Sequence, residues 1–106
     1  MLPTRSARAL ALSGLLAAPA YGQSGNLALD LGSLLAAGEV CELGLEEQAV
    51  VDFIRRNADP SDIRFISTLS SAIRTRTIIY SGMEGVERAA VCEAARVSLQ
   101  NYRLIK

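Results

Sequence analysis

Asp59-Pro60-Ser61-Asp62-Ile63-Arg64-Phe65-Ile66-Ser67-Thr68-Leu69-Ser70 is the stretch on which the fold turns. It opens with a helix start: Asp59 is placed to cap, Pro60 to take the first helical position, where a missing N–H costs nothing, and Asp62 to reach back as an acid in the first turn. Downstream, Ile63, Ile66, Leu69, Ser70, Ile73, Thr77 and Tyr80 fall on a stripe about 120° wide at 100° per residue, the pattern of an amphipathic helix. Its end reads two ways. Thr75-Arg76-Thr77-Ile78-Ile79-Tyr80 is rich in β-branched residues, which suit either a last helical turn or a short strand. Ser81-Gly82 closes the element in both cases.

Working outward, similar patterns lie on both sides. Leu45–Asn57 has Glu46 and Glu47 in its first turn and Arg55 and Arg56 in its last, charges that complement the helix dipole at each end. Ala49, Val50, Phe53 and Ile54 form its apolar face, and Asn57 is a C-terminal stop. Before it, Leu27, Leu31, Leu34 and Leu35 recur at helical spacing over Leu27–Ala37, with Gly38 as a left-handed stop. Gln23-Ser24-Gly25-Asn26 is polar and reads as a frayed entry. A last helix is expected over Met83–Asn101, with Met83, Val86, Ala90, Ala94 and Val97 on one stripe. Cys92, Ala95 and Leu99 fall nearly opposite, so this helix is expected to be covered on two sides. Together these patterns predict an all-α fold, a small bundle of three to four helices tied by one disulfide.

The first residues have a different purpose. Arg5 and Arg8 supply a positive start, Ala9 to Ala18 is apolar apart from Ser13 and Gly14, and small residues follow Pro19, which together read as a secretory signal peptide over residues 1–22. Ala18-Pro19-Ala20 and Ala20-Tyr21-Gly22 both suit cleavage, so the mature chain is expected to start at Tyr21 or, preferably, Gln23. The apolar run is about half the roughly twenty residues a spanning helix requires, so no membrane span is expected. The arginines are not adjacent and no cysteine sits at the cut, which argues against twin-arginine export and lipid anchoring. The mature domain, residues 23–106, is expected to be periplasmic or secreted.

Removing residues 1–22 takes away Arg5 and Arg8 and no acid, so 11 basic against 11 acidic residues becomes 9 against 11, a net charge of −2. That balance, without aromatics interleaved among the arginines, is no nucleic-acid signature, so no nucleic-acid partner is expected and the arginines read as a solvated face. A domain this small buries only about 60–65 % of its unfolded surface, so a covalent staple matters. The chain has two cysteines, Cys41 and Cys92. One intramolecular pairing exists for them, and an oxidising compartment favours it over the alternative of two buried free thiols.

Chemistry is sparse. The chain has no histidine, which removes histidine-based triads, the commonest general base and the usual ligands of catalytic zinc. Two cysteines this far apart form neither a closed zinc site nor a Cys-x-x-Cys redox pair. No phosphate loop occurs; Gly82-Met83-Glu84-Gly85 reads as a turn and helix start rather than an anion site. Three carboxylate pairs, Glu46 with Glu47, Asp59 with Asp62 and Glu84 with Glu87, could do acid-base work, but each lies at a helix start where capping explains it. Ser70 and Ser71 lack a base, and Tyr80 and Met83 read as packing. No catalytic residue, cofactor or metal ligand is therefore expected. Cys41 and Cys92 are the one site pair assigned.

Leu34-Leu35-Ala36-Ala37-Gly38-Glu39-Val40-Cys41, Ala49-Val50-Val51-Asp52-Phe53-Ile54, and Val91-Cys92-Glu93-Ala94-Ala95-Arg96-Val97 with Tyr102 together resemble a group of short exported two-cysteine helical proteins of unknown function, common in alphaproteobacteria. The resemblance covers most of the mature chain and implies an all-helical fold with one disulfide. In architecture alone, the chain also resembles periplasmic acid-stress chaperones. The leading expectation is a non-enzymatic protein that binds another envelope protein or helps maintain the envelope. A chaperone active in acid is the alternative, since protonating 11 carboxylates would swing the mature charge from −2 to about +9 and loosen the fold by self-repulsion. An enzyme using carboxylates ranks third.

Overall fold

Four helices, Pro19–Val40 (α1), Glu47–Asn57 (α2), Ile63–Ser81 (α3) and Gly85–Asn101 (α4), make up the described part of the chain. They are seen in a computed structural model that describes residues 19–59 and 61–106. The expected positive start at Arg5 and Arg8, the apolar run Ala9–Ala18 and Pro60 lie outside the described residues. The fold is all-α, and the β-branched stretch 75–80 is helix.

α1 packs chiefly on α3 and secondarily on α4. Ala28, Leu31, Leu35, Ala36 and Ala37 are buried along it, with Leu27 and Leu34 partly buried against the same core. Gly32 sets the approach to α3: a Cβ added there would lie 2.5 Å from the Cβ of Ala72. Glycine against alanine thus lets the two backbones come closer than larger side chains allow, and the dispersion attraction of that close packing offsets the poor helix propensity of glycine.

The boundaries of α1 differ from the sequence reading at both ends. The helix runs through Gln23–Asn26 from Pro19 rather than starting at Leu27. Gly38 is no left-handed stop; it lies within the helix, where Leu45 packs directly over its missing side chain. The reversal comes four residues later. Glu42 takes φ 54°, while Leu43 N–H donates to Gly38 O at 2.9 Å and Glu42 N–H to Glu39 O at 3.2 Å. That paired bonding is a Schellman ending, with a glutamate at the position glycine usually takes. α4 ends the same way. Arg103 has φ 61°, Leu104 N–H donates to Leu99 O and Arg103 N–H to Gln100 O.

α2 begins at Glu47, later than the expected Leu45, because Leu45 forms an antiparallel bridge with Ile105. Glu46 N–H accordingly donates to Leu104 O at 2.8 Å. Phe53 is buried and meets Tyr102 edge to face, ring centroids 5.4 Å apart. Asn57 ends the helix as expected, its side-chain amide donating to Phe53 O.

The cap of α3 falls on Asp62, not Asp59. Asp62 Oδ1 accepts from Arg64 N–H and Phe65 N–H, so the helix begins at Ile63, three residues after the expected first position. Asp59 instead accepts from both the N–H and the hydroxyl of Ser61 in the turn before. Both aspartates can satisfy backbone donors locally, and the one preceding Phe65 wins because that register buries Phe65, Leu69 and Ala72. Ile63 and Ile66 of the expected stripe are exposed, while Ile73, Thr77 and Tyr80 are half-buried.

α4 starts at Gly85 rather than Met83 and is covered on one side only. Its buried residues are Ala95 and Leu99, on the side of Cys92, whereas Val86, Ala90, Ala94 and Val97 of the expected stripe are exposed. The disulfide turns the side of Cys92, Ala95 and Leu99 inward, which leaves Val86 and Val97 of the opposite stripe exposed. Leu104 and Ile105 then fold back into the core.

Candidate functional site

The cysteines join the end of α1 to the middle of α4. Cys41 follows the last residue of α1, at the Schellman ending, and Cys92 lies in the middle of α4, one and two turns before the buried Ala95 and Leu99. Their sulfurs are bonded at 1.99 Å, with Cα atoms 5.7 Å apart and a sequence separation of 51. One turn before Cys92, Arg88 Nη2 donates to Val40 O at 3.0 Å. That carbonyl is one of those left without an intrahelical partner at a helix end, and the guanidinium also meets the negative end of the dipole. The covalent tie and the charged cap therefore hold α4 to the same point of α1.

The three carboxylate pairs do not converge. Among the described residues no group of three or more Asp, Glu, Cys or His side chains is arranged to hold a metal ion. Glu46 lies before α2 with its carboxylate 3.7 Å from Lys106 Nζ; Glu47 is exposed in the first turn. Asp59 and Asp62 serve the turn and the cap. The bonds from Ser61, side chain first, hold the Asp59 carboxyl below its ordinary range. Glu84 precedes α4 and Glu87 is exposed in its first turn. On α4, Arg96 hydrogen-bonds to Glu93 and lowers its carboxyl in turn.

Among the grooves of the described residues, two are of interest. One, of about 280 Å³, lies where α1, α2 and α3 meet; Leu35, Leu45, Val50 and Ile73 form its walls, with Glu39 and Glu47 at the rim. The larger, of about 670 Å³, runs between α1 and α3. Ser33 lines it from α1, and Ser67, Ser71, Thr75, Arg74 and Arg76 from α3. From sequence, Ser71 is weighed only as a nucleophile without a base and the arginines only against a nucleic-acid partner. The available signal was the recurrence of hydroxyls at 67, 71 and 75, four apart and so on one flank of a helix.

No helix among the described residues is long and apolar enough to cross a membrane. Comparison with protein-family models, with curated proteins and with solved structures finds no match to this chain.

Proposed function

We propose that this is an exported, non-enzymatic protein that acts by surface contact with another envelope protein. The observation that carries the reading is the exposure of large β-branched side chains away from the core: Ile63 is 79 % exposed, Ile78 75 % and Val86 86 %. Scattered apolar residues are ordinary on a surface; a partner that covers these three would remove the hydration cost of their exposure. The disulfide supports the export half, because such bonds persist in oxidising compartments. The expected cleavage sites after Ala20 and Gly22 both lie upstream of Ala28, the first buried residue among those described.

The test is photocrosslinking in cells, with the reactive group placed at Ile78, at Val86 and, as control, at exposed Arg56. Adducts of one discrete mass at 78 and 86, absent at 56, support the reading. Adducts equal at all three positions overturn it, and many adducts formed only in acid place the chaperone reading first. N-terminal sequencing of the protein from the cell envelope should begin at Tyr21 or Gln23. A chain retained in the cytoplasm with its first residues intact overturns export.

A further inference from the structure

α3 is the one described helix with a net positive charge, carrying Arg64, Arg74 and Arg76 and no acid. α2 and α4 balance their arginines with acids, and α1 carries only Asp30 and Glu39. Among the described residues neither Arg74 nor Arg76 is paired with a carboxylate, whereas Arg55 pairs with Asp52 and Arg96 with Glu93. Both arginines line the α1–α3 groove.

Ser67, Ser71 and Thr75 recur four apart on α3, all exposed, and Ser33 lines the wall from α1. Serine and threonine inside a helix are poorer formers than alanine, and their exposure removes packing as the reason for them. Ser71, Arg74 and Thr75 lie within about one turn on one flank of the helix, so a planar guanidinium fork and two hydroxyls there suit the oxygens of one phosphoryl group. We propose that the α1–α3 groove binds a phosphate group, held by Arg74 with the hydroxyls of Ser71 and Thr75, while Arg76, Ser67 and Ser33 line the rest of the groove. Leu29 and Ile79, 52 % and 42 % exposed, also line the groove and cover the aliphatic part of the molecule that carries the phosphate. The groove's 670 Å³ leaves room for such a carrier. The inference stands apart from the protein-contact reading, which rests on Ile63, Ile78 and Val86.

Amide spectra of the disulfide-bonded protein, titrated with inorganic phosphate, read the site directly. Shifts at residues 67–76 should saturate on the order of millimolar phosphate, and the double variant Arg74→Gln/Arg76→Gln should weaken binding by about tenfold. The control, Arg55→Gln/Arg56→Gln, makes the same charge change on α2 and should stay within about twofold, since screening confines the effect to nearby charges. Circular dichroism checks that both variants remain folded. Sedimentation with phosphatidylglycerol vesicles against phosphatidylcholine vesicles then separates the sources. Binding to the first alone, lost in the 74/76 variant, assigns a lipid headgroup; phosphate binding without vesicle binding assigns a free phosphoryl compound. The proposal is overturned when phosphate moves no amide of the groove, or when the two double variants lose affinity alike.

Discussion

A carboxylate at position 62 accepts from two of the amides that α3 cannot bond internally. Asp62→Ala should therefore cost about 1 kcal/mol in urea melts. Asp59→Ala should cost less, because Asp59 serves an exposed turn with Ser61 rather than a helix end; equal losses would return the cap to Asp59. The carboxyls of Asp59 and Glu93 are both held low, so each contributes stability that is present above its ordinary value, 3.8 for Asp59 and 4.5 for Glu93, and is lost as pH falls through the lower folded value. Glu93→Gln should accordingly make the acid limb of the stability curve shallower.

The left-handed residues Glu42 and Arg103 are the other residue-scale feature, both exposed and both at Schellman endings. A side chain at positive φ crowds its own carbonyl, and glycine does not. Glu42→Gly and Arg103→Gly should each stabilise by about 0.5–1 kcal/mol, net of the greater freedom glycine has when unfolded. Glu39→Gly, inside α1, should instead destabilise by about 1 kcal/mol. A loss at all three positions in thermal melts would contradict the conformational argument.

At the scale of elements, the α1–α3 contact rests on Gly32 against Ala72. Gly32→Ala would improve helix propensity by about 1 kcal/mol, yet its Cβ would lie 2.5 Å from another Cβ fixed to a helix backbone. The helices must separate, so the variant should be less stable by about 1–3 kcal/mol despite the better propensity. Gly38→Ala meets only the side chain of Leu45, which can shift, and should cost less. Urea melts of the two single variants decide the order. α4 shows the limit of reading elements by pattern. Its five-residue stripe was visible in sequence, but Val86 and Val97 on it stay exposed while Ala95 and Leu99, on the side of the disulfide-bonded Cys92, are buried.

For the whole molecule, the disulfide closes a loop spanning 51 residues of sequence. In the chain-entropy account a closure of that length is worth about 4 kcal/mol, commonly less in practice. Against a total of about 5–8 kcal/mol for a small domain, its loss should shift the urea midpoint steeply. Reduced and oxidised protein compared in parallel melts check this. Mass spectrometry after thiol blocking should find neither cysteine labelled before reduction. The tail adds a second closure: Leu104 and Ile105 are buried, and Ile105 bridges Leu45 beside the disulfide end of α1.

Periodicity and chemistry carried by single residues were legible in the chain itself. Leu31 and Leu35, Phe53, the reversed charges of α2 and the one cysteine pairing all follow from spacing and residue type, because helical geometry and thiol chemistry act locally or without competitors. What the tertiary structure decided were choices among local options of similar energy. Asp59 and Asp62 were both competent caps, and burial of Phe65 selected the second. Gly38 was a competent stop, but Leu45 needed the space above it, so the turn moved to Glu42. Leu104 and Ile105 form too short a pattern to be read, and only the Schellman turn at Arg103 brings them back to Leu45. The α1–α3 groove was likewise hidden, since Ser33 lies far in sequence from Ser67, Ser71 and Thr75 and lines the same groove only through the approach of Gly32 to Ala72.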